Sequence, residues 1–159
     1  MPRQDTDLTH RALNLVNLRN PVWATKDNLR DPAVIKWREG FQVFYSRLRQ
    51  DAAGLGNPTN WTIACVETSD FLEFRNDRDI SPPGFASPGD IVRWHGRWVV
   101  PYQSYPAYPV RLCYSDSRDL RSWSAPKVFL DEAAYLPWNG ERRVIDPCFV
   151  VEGESLHCF

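Results

Sequence analysis

One unit occurs three times along the chain, and this repeat limits the possible folds more than any other feature of the sequence. Each copy has a proline, a short apolar run, a turn that contains glycine, and a second run with aromatic or β-branched residues. This order is typical of two paired antiparallel strands. The prolines Pro32, Pro88 and Pro147 open the copies at spacings of 56 and 59 residues. A strand-rich repeat of this period indicates blades or stacked modules.

A second repeated piece follows the first two hairpins. Residues 63–74 and 111–123 each give a strand, a small polar turn, an aspartate, an apolar residue and an aromatic residue. Each module therefore predicts a sheet of four short antiparallel strands, and such sheets arranged radially form a propeller whose innermost strands line a central channel. Asp31, Asp90 and Asp146 then begin innermost strands, and we expect their carboxylates to converge at one mouth of the channel.

These motifs, taken in order, resemble glycoside hydrolase family 43. The resemblance covers about residues 20–159. It implies an all-β fold, namely a partial five-bladed β-propeller of antiparallel four-stranded blades, with about two and a half blades present. The motifs that carry it are Asp31-Pro32, Pro88-Gly89-Asp90-Ile91, Ile145-Asp146-Pro147 and the outer motif Asp119-Leu120-Arg121-Ser122-Trp123.

The expected organisation is a lead-in over residues 1–20 and a truncated propeller glycoside hydrolase domain over residues 21–159. Within it we expect blade one at about 29–80, blade two at about 87–130 and the start of blade three at about 144–159. The predicted hairpins are 33–37 with 41–46, 90–94 with 98–104 and 148–152 with 155–159, and third strands are predicted near 61–67 and 110–115. Loops are predicted at 50–60, 77–87 and 130–143, with little helix beyond a turn or two over 9–18.

Composition excludes several kinds of partner. The formal net charge is −1, which gives no electrostatic attraction to nucleic acid or to an anionic membrane. The first twenty residues lack the apolar run of a signal peptide or a membrane span, so a cytoplasmic location is predicted. The seven tryptophans suit a protein that binds sugars, and the expected partner is an oligosaccharide or glycoside substrate.

The four cysteines, Cys65, Cys113, Cys148 and Cys158, form no Cys-x-x-Cys pair. Cys65 and Cys113 fall at matching strand positions, which favours buried reduced thiols, with a disulfide or a metal site as the alternative. The three histidines show no metal-ligand spacing, so no metal site or cofactor is predicted. The resemblance leaves room for a structural ion on the propeller axis.

The chemistry of glycosidic cleavage explains why the aspartates matter. An inverting hydrolase uses one carboxylate to activate water and one carboxylic acid, roughly 6.5–9.5 Å away, to protonate the leaving oxygen. By the resemblance, Asp31 is the general base, and Asp146 is a third carboxylate that raises the pKa of the acid and orients it. Asp90 is expected to bind substrate or water. An aspartate before proline also caps turns, which is the alternative for Asp31 and Asp146.

Two aromatic residues are candidate walls of the sugar site. Tyr102 lies in a predicted hairpin tip rich in tyrosine and proline, residues 102–109, and Trp138 lies in the crossing just before Asp146. Both are predicted to stack on substrate, with packing between blades as the alternative.

The general acid of the family is a glutamate on a later blade, and no glutamate of this chain follows a strand start as that residue does. The chain is therefore interpreted as the N-terminal portion of a longer glycosidase for arabinose- or xylose-type saccharides, inactive by itself.

Two alternatives remain. One is a family 32-like retaining hydrolase of sucrose or fructans, in which Asn and Arg precede the two Asp-Pro pairs, where this chain has Arg30 and Ile145. The other is a non-catalytic propeller that binds glycan or protein.

Overall fold

The computed structural model describes residues 19–51 and 56–159. Its described part contains eleven strands, one α-helix, α1 (Glu132–Asn139), and a 3₁₀ turn over Pro58–Asn60. The helical turn predicted over 9–18, and residues 52–55 of the predicted loop 50–60, lie outside the described residues. The strands are β1 (Asn28–Trp37), β2 (Gly40–Leu48), β3 (Trp61–Thr68), β4 (Phe74–Asp79), β5 (Phe85–Ala86), β6 (Val92–Trp94), β7 (Arg97–Ser104), β8 (Leu112–Ser117), β9 (Lys127–Leu130), β10 (Phe149–Glu152) and β11 (Ser155–Cys158).

The strands form three consecutive antiparallel units, which we call blades. Blade one has the order β1-β2-β3-β4, and blade two has β7-β8-β9 with β5 and β6 both paired to β7. Blade three is the hairpin β10-β11. The predicted hairpins and third strands are confirmed, although β1 begins earlier than predicted, at Asn28. The reason is a bulge between Arg30 and Ala33, which interrupts the alternating pattern of this strand.

The crossing predicted as a loop at 130–143 contains α1, so that prediction is wrong for its central part. The Asp131 side chain caps the start of the helix by accepting the amide of Ala134, and Gly140 ends it with a left-handed backbone. Tyr135 is fully buried and anchors the helix by donating a hydrogen bond to the carbonyl of Val110 at 2.9 Å. No helix in the described ranges is long and apolar enough to span a membrane.

Each blade has two faces, because successive side chains of a strand point to opposite sides of the sheet. We call the face turned toward the following blade the forward face and the opposite one the backward face. The main core lies between the forward face of blade one and the backward face of blade two. Blade one contributes Ala33, Phe44, Ile63 and Cys65, and blade two contributes Ile91, Val100, Tyr102, Cys113 and Leu120.

Cys65 and Cys113 are buried free thiols in this core. Burial raises the pKa of Cys65 to about 12 and that of Cys113 to about 11. Their predicted equivalence is wrong, because Cys65 pairs with Phe44 on a forward face and Cys113 pairs with Tyr102 on a backward face. They therefore enter the same core cluster from opposite blades.

The turns after β3 and β8 are built alike, as their repeated sequence predicts. Asp70 and Asp119 each accept, through Oδ1, the amides of the residues two and three positions later. These backbone hydrogen bonds hold the pKa of both carboxyls below the ordinary value. The residue after each aspartate has φ 61°, in the left-handed region.

A buried arginine fixes the outer edge strand of blade one. Arg47 is 2% exposed, and it donates to Asp77 at 2.7 Å and, through Nε, to Asp79 at 3.0 Å. Arg49 and Thr62 also donate to Asp79, each at 2.8 Å. These hydrogen bonds satisfy the buried guanidinium and join β4 to the centre of the sheet.

Candidate active site

Asp31, Ser87 and Asp146 each precede a proline, and their φ angles are 55°, 54° and 54°. A residue before proline normally has an extended backbone, and a positive φ is uncommon for residues other than glycine. Three such residues at the start of three blades therefore mark one equivalent position. Asp31 and Asp146 share this position, but its residue in blade two is Ser87. The expectation that Asp90 starts blade two in the same way is wrong, because Asp90 lies three residues further along.

Asp31 sits in the bulge of β1, where its side chain is 36% exposed. Its Oδ2 accepts hydrogen bonds from the hydroxyls of Ser46 at 2.9 Å and Ser87 at 3.2 Å. The Nε of Arg30 lies 3.3 Å from the same oxygen. Within the described residues these three contacts all reach Oδ2, so one oxygen is held by the protein while the carboxylate stays open to solvent.

The backbone of Asp146 is fixed by the preceding blade. Its amide donates to Oε1 of Gln103 at 2.9 Å, and the Asp146 residue itself is exposed. The amide of Ser87 donates in the same way to the hydroxyl of Ser46 at 2.7 Å. Ser46 and Gln103 stand opposite Arg30 and Ala86, the residues just before the left-handed position. An equivalent side chain therefore holds the start of each following blade.

Asp90 lies at the junction of blades two and three. It is exposed, and its Oδ2 accepts a hydrogen bond from the thiol of Cys148 at 3.4 Å. Gly89 beside it leaves no room for a side chain, because a Cβ there would lie 1.7 Å from the carbonyl oxygen of Pro147. The described contacts thus join Asp31 to the start of blade two, and Asp90 to the start of blade three. Among the described residues no direct contact joins Asp31 to Asp146.

Tyr102 is not a wall of an open site. It is fully buried on the backward face of blade two, where its ring packs against Phe85 with centroids 5.3 Å apart. Its hydroxyl shares a hydrogen bond of 2.6 Å with that of Ser115, and burial raises its pKa. The prediction that it stacks on substrate is wrong, and packing between blades is what the structure shows.

Trp138 is 66% exposed on α1. Its Nε1 donates to the carbonyl of Ala134 at 3.0 Å, which fixes the indole on the helix surface. The ring is accessible, and its part in binding sugar stays a prediction.

Sequence reasoning missed an aromatic and cationic cluster beside Asp31. The guanidinium of Arg30 lies 4.1 Å from the ring centre of Trp61 and 5.2 Å from that of Tyr105, within the range of cation–π attraction. The sequence places Arg30 next to Asp31, but the two aromatic residues come from other strands and loops. Pairing of β2 with β3 and of β5 with β7 brings them together, and neither pairing is visible in a local motif.

A metal site was not predicted for this chain. Among residues 19–51 and 56–159, no three histidine, cysteine, aspartate or glutamate side chains are grouped so as to hold a metal ion.

No family model and no curated protein matches the chain. It is similar to the α-L-arabinofuranosidase PaAbf62A from Podospora anserina in complex with cellotriose, with 22% identity and a TM-score of 0.61 over 83% of this chain and 42% of that one. It is similar to Zg3597, a family 117 glycoside hydrolase from Zobellia galactanivorans, with 14% identity and a TM-score of 0.64 over 84% and 48%. It is also similar to the Bacillus subtilis arabinanase Arb43A, with 14% identity and a TM-score of 0.57 over 84% of this chain and 47% of that one.

These similarities show the fold. The chain has the mostly β architecture of antiparallel blades found in five-bladed propeller glycoside hydrolases, and the predicted fold class is confirmed. It spans less than half the length of these proteins. Because families 62, 117 and 43 all match at low identity, the family itself is not fixed.

Proposed function

We propose that this chain is the N-terminal part of an inverting propeller glycosidase, with Asp31 as general base and Asp146 as a carboxylate that tunes the acid. The observation that carries the proposal is the pair of left-handed aspartates at one equivalent position of blades one and three. A strained backbone that survives in a fold is often found where the geometry of a functional group matters. Structural similarity to glycosidases supports the same class of reaction.

The surroundings of Asp31 suit a general base. Ser46 and Ser87 hold Oδ2, so the carboxylate has a fixed orientation and remains partly exposed. An ionised carboxylate in this state can accept the proton of a water molecule as that water attacks the anomeric carbon. The attack occurs on the face opposite the leaving group, and the product has inverted configuration.

The role proposed for Asp146 is electrostatic. Its backbone is held by Gln103, and its exposed carboxylate carries a negative charge at the same position in its blade as Asp31. A negative charge near a carboxylic acid raises the pKa of that acid, which keeps it protonated for donation to the leaving oxygen. The acid is a glutamate supplied by chain beyond this sequence. We therefore expect the 159-residue chain to be inactive, since general acid catalysis supplies about 10²–10⁴-fold in rate.

Substrate binding is assigned to residues around these carboxylates. Asp90 is proposed to bind a sugar hydroxyl or a water, and Trp138 to stack on a sugar ring. Arg30, held over Trp61 beside Asp31, is a further contact for sugar hydroxyls. The proposed substrates are arabinose- and xylose-type saccharides, because an arabinofuranosidase and an arabinanase are among the similar structures.

The test compares the hydrolysis of nitrophenyl arabinoside and xyloside by the 159-residue chain and by the longer protein that the proposal implies. In the longer protein we expect Asp31→Ala to lower kcat/KM by at least about 10²-fold. Azide, a nucleophile that needs no base, should restore turnover and give a glycosyl azide of inverted configuration. The control is Asp70→Asn, which alters an exposed turn carboxylate outside the site.

Other outcomes would overturn particular parts of the proposal. A product of retained configuration would favour the family 32-like alternative, with Asp31 as nucleophile. Binding of xylotriose without turnover by the longer protein would favour a glycan-binding propeller. Asp146→Asn should move the alkaline limb of the pH profile to lower pH, because the acid loses a neighbouring charge. An unchanged profile would remove Asp146 from this role.

A further inference from the structure

A cavity of about 250 Å³ lies at the junction of blades one and two. Blade one forms most of its wall, through the turn between β1 and β2, the end of β3 and the start of β4, and blade two contributes Arg121 from the turn after β8. Asp31 stands near the start of β1, whereas Arg38 of the cavity follows its end, which separates them by roughly 20 Å of strand. The cavity is therefore distinct from the candidate active site.

Three arginines line this cavity, and each comes from a different segment of the chain. Arg38 lies in the hairpin turn of blade one, Arg75 lies in β4, and Arg121 lies in the turn after β8. All three are exposed, and within the described residues none of their guanidinium groups makes a hydrogen bond or an ion pair. The remaining arginines of blade one all contact carboxylates, and they are Arg30, Arg47, Arg49 and Arg78.

The carboxylates of the cavity do not balance these three charges. Glu39 and Glu67 line the same space. Glu67 is already engaged, because it accepts a hydrogen bond from Asn76 at 2.9 Å and lies 3.5 Å from Nη1 of Arg78. Glu39 then stands alone against three arginines. The cavity is thus locally positive in a chain whose formal net charge is −1.

The turn that carries Arg121 is held in place by both blades. The Arg121 amide donates to Oδ1 of Asp119 at 2.8 Å, within its own turn. From blade one, Nη2 of Arg78 donates to the carbonyl of Leu120 at 2.8 Å. The backbone of Arg121 is therefore fixed relative to the wall that blade one provides.

The hairpin turn that carries Arg38 is fixed as well. Gly40 lies so close to the end of β3 that a Cβ there would be 2.5 Å from the carbonyl oxygen of Thr68. Trp37, which also lines the cavity, packs its ring on Trp98 of blade two, with centres 5.6 Å apart. These contacts position the turn before any ligand binds, which lowers the entropic cost of binding.

The arrangement of the arginines selects a class of ligand. A guanidinium donates paired hydrogen bonds to the oxygens of an anion, and one carboxylate is satisfied by one such partner. Three guanidinium groups from three segments suit an anion with oxygens in several directions, as in a phosphate or sulfate group. The volume is near the lower end of the roughly 300–1,000 Å³ of small-molecule sites, and Trp37 adds an aromatic surface, so a body the size of one sugar ring fits beside the anion.

We propose that this cavity binds a small molecule through a phosphate or sulfate group, which Arg38, Arg75 and Arg121 contact together. The site lies outside the glycosidase centre and does not depend on the proposed reaction. Its ligand is either a free oxyanion or a sugar that bears one, and the two share the chemistry that the arginines recognise.

The test is isothermal titration calorimetry of the 159-residue chain with inorganic phosphate, glucose 6-phosphate and glucose. We expect both anions to bind and glucose not to bind, and we expect the affinity to fall as sodium chloride is raised. Tighter binding of glucose 6-phosphate would assign the site to a sugar-borne group, and tighter binding of phosphate would assign it to the free ion. Absence of binding by both anions would overturn the proposal.

Substitution of the arginines locates the binding site. Arg38→Gln, Arg75→Gln and Arg121→Gln should each weaken binding of the anion by about tenfold, because each removes charged hydrogen-bond donors. All three residues are exposed, so the variants should fold, which circular dichroism checks. Arg143→Gln is the matched control, since this arginine is exposed and lies outside the cavity. An equal loss of affinity in Arg143→Gln would show general charge attraction and would overturn the site.

Substitution of Glu39 gives a change in the opposite direction. Glu39→Gln should tighten binding, because it removes the carboxylate that repels the anion within the cavity. Glu141→Gln makes the same change of charge at an exposed position outside the cavity and should leave the affinity unchanged. Weaker binding by Glu39→Gln would contradict the proposal.

Discussion

Oε1 of Gln103 accepts the backbone amide of Asp146 at 2.9 Å, and this hydrogen bond fixes the start of blade three. Ser46 makes the corresponding bond to the amide of Ser87 at 2.7 Å. Both acceptors are nearly inaccessible, at 4% and 0% exposure. Blades one and two thus each bind the following blade through a hydrogen bond to a buried side-chain oxygen, in addition to apolar contacts.

The first prediction concerns this hydrogen bond. Gln103→Met keeps the length of the side chain but removes the oxygen, so we expect a loss of about 1 kcal/mol in the free energy of unfolding. Urea denaturation measures the loss, with Arg118→Met on the exposed turn after β8 as the control. Equal stability of Gln103→Met and the unchanged chain would show that the bond contributes nothing.

The second prediction compares Phe44 and Phe159, which each lie four residues after the start of the second strand of a hairpin. Phe44→Ala removes a fully buried ring from the core and should lower the free energy of unfolding by about 3–5 kcal/mol. Phe159→Ala removes an exposed ring and should change it by less than about 0.5 kcal/mol. Both values come from urea denaturation of dilute protein. A loss of more than about 1 kcal/mol for Phe159→Ala would contradict the prediction that this exposed ring contributes little to stability.

The third prediction is a pH dependence that arises from Asp79. Burial raises the pKa of this carboxyl, but hydrogen bonds from Arg49, Arg47 and Thr62 outweigh burial, and the pKa is lowered overall. Its stabilising contribution is therefore present above the pKa of an unfolded aspartate, about 3.9, and is lost as the pH falls through the lower folded value.

Asp79→Asn should accordingly be less stable than the unchanged chain at pH 7 and should lose less stability between pH 5 and pH 2.5. Chemical denaturation at several pH values measures how the free energy of unfolding of each protein changes with pH. Parallel curves for the two proteins would show that Asp79 contributes nothing to the acid sensitivity.

The fourth prediction concerns the thiols. Under reducing-agent-free conditions at pH 8, a disulfide reagent should modify two cysteines of the folded chain, Cys148 and Cys158, which are half-buried and exposed. Cys65 and Cys113 should react only after denaturation, because both are buried and their pKa values are raised to about 12 and about 11.

Denatured, unreduced protein should then show four reactive thiols, since all four are free. Cys158→Ser should lower the folded count by one. Fewer than four thiols in the denatured chain would indicate a disulfide.

The sequence was sufficient for the hairpins because proline, the turn glycine and the aromatic run recur in one order. The sequence did not predict the face of the sheet on which each side chain lies. Tyr102 was predicted in a hairpin tip, but it lies inside β7 and on the face of that strand that packs against blade one. The sequence also did not reveal that Ser87, rather than Asp90, shares the left-handed backbone of Asp31.

Local motifs also missed features that depend on distant residues. The capping signals of α1, Asp131 and Gly140, are present in the sequence, but the crossing at 130–143 was predicted as a loop from its composition. The contact of Arg30 with Trp61 depends on pairing across blade one. Such features arise from tertiary packing, which short patterns do not encode.

The left-handed residue before proline is an aspartate in blades one and three and Ser87 in blade two, yet its φ is the same to within a degree. The main chain is therefore set by the proline and the neighbouring blade rather than by the side chain. Evolution, or a protein engineer, can exchange the chemical group presented here without redesigning the scaffold that presents it. The side chain at the start of each blade can therefore be substituted independently. A new reactive side chain can be introduced in one blade while the other blades keep their original residue at this position.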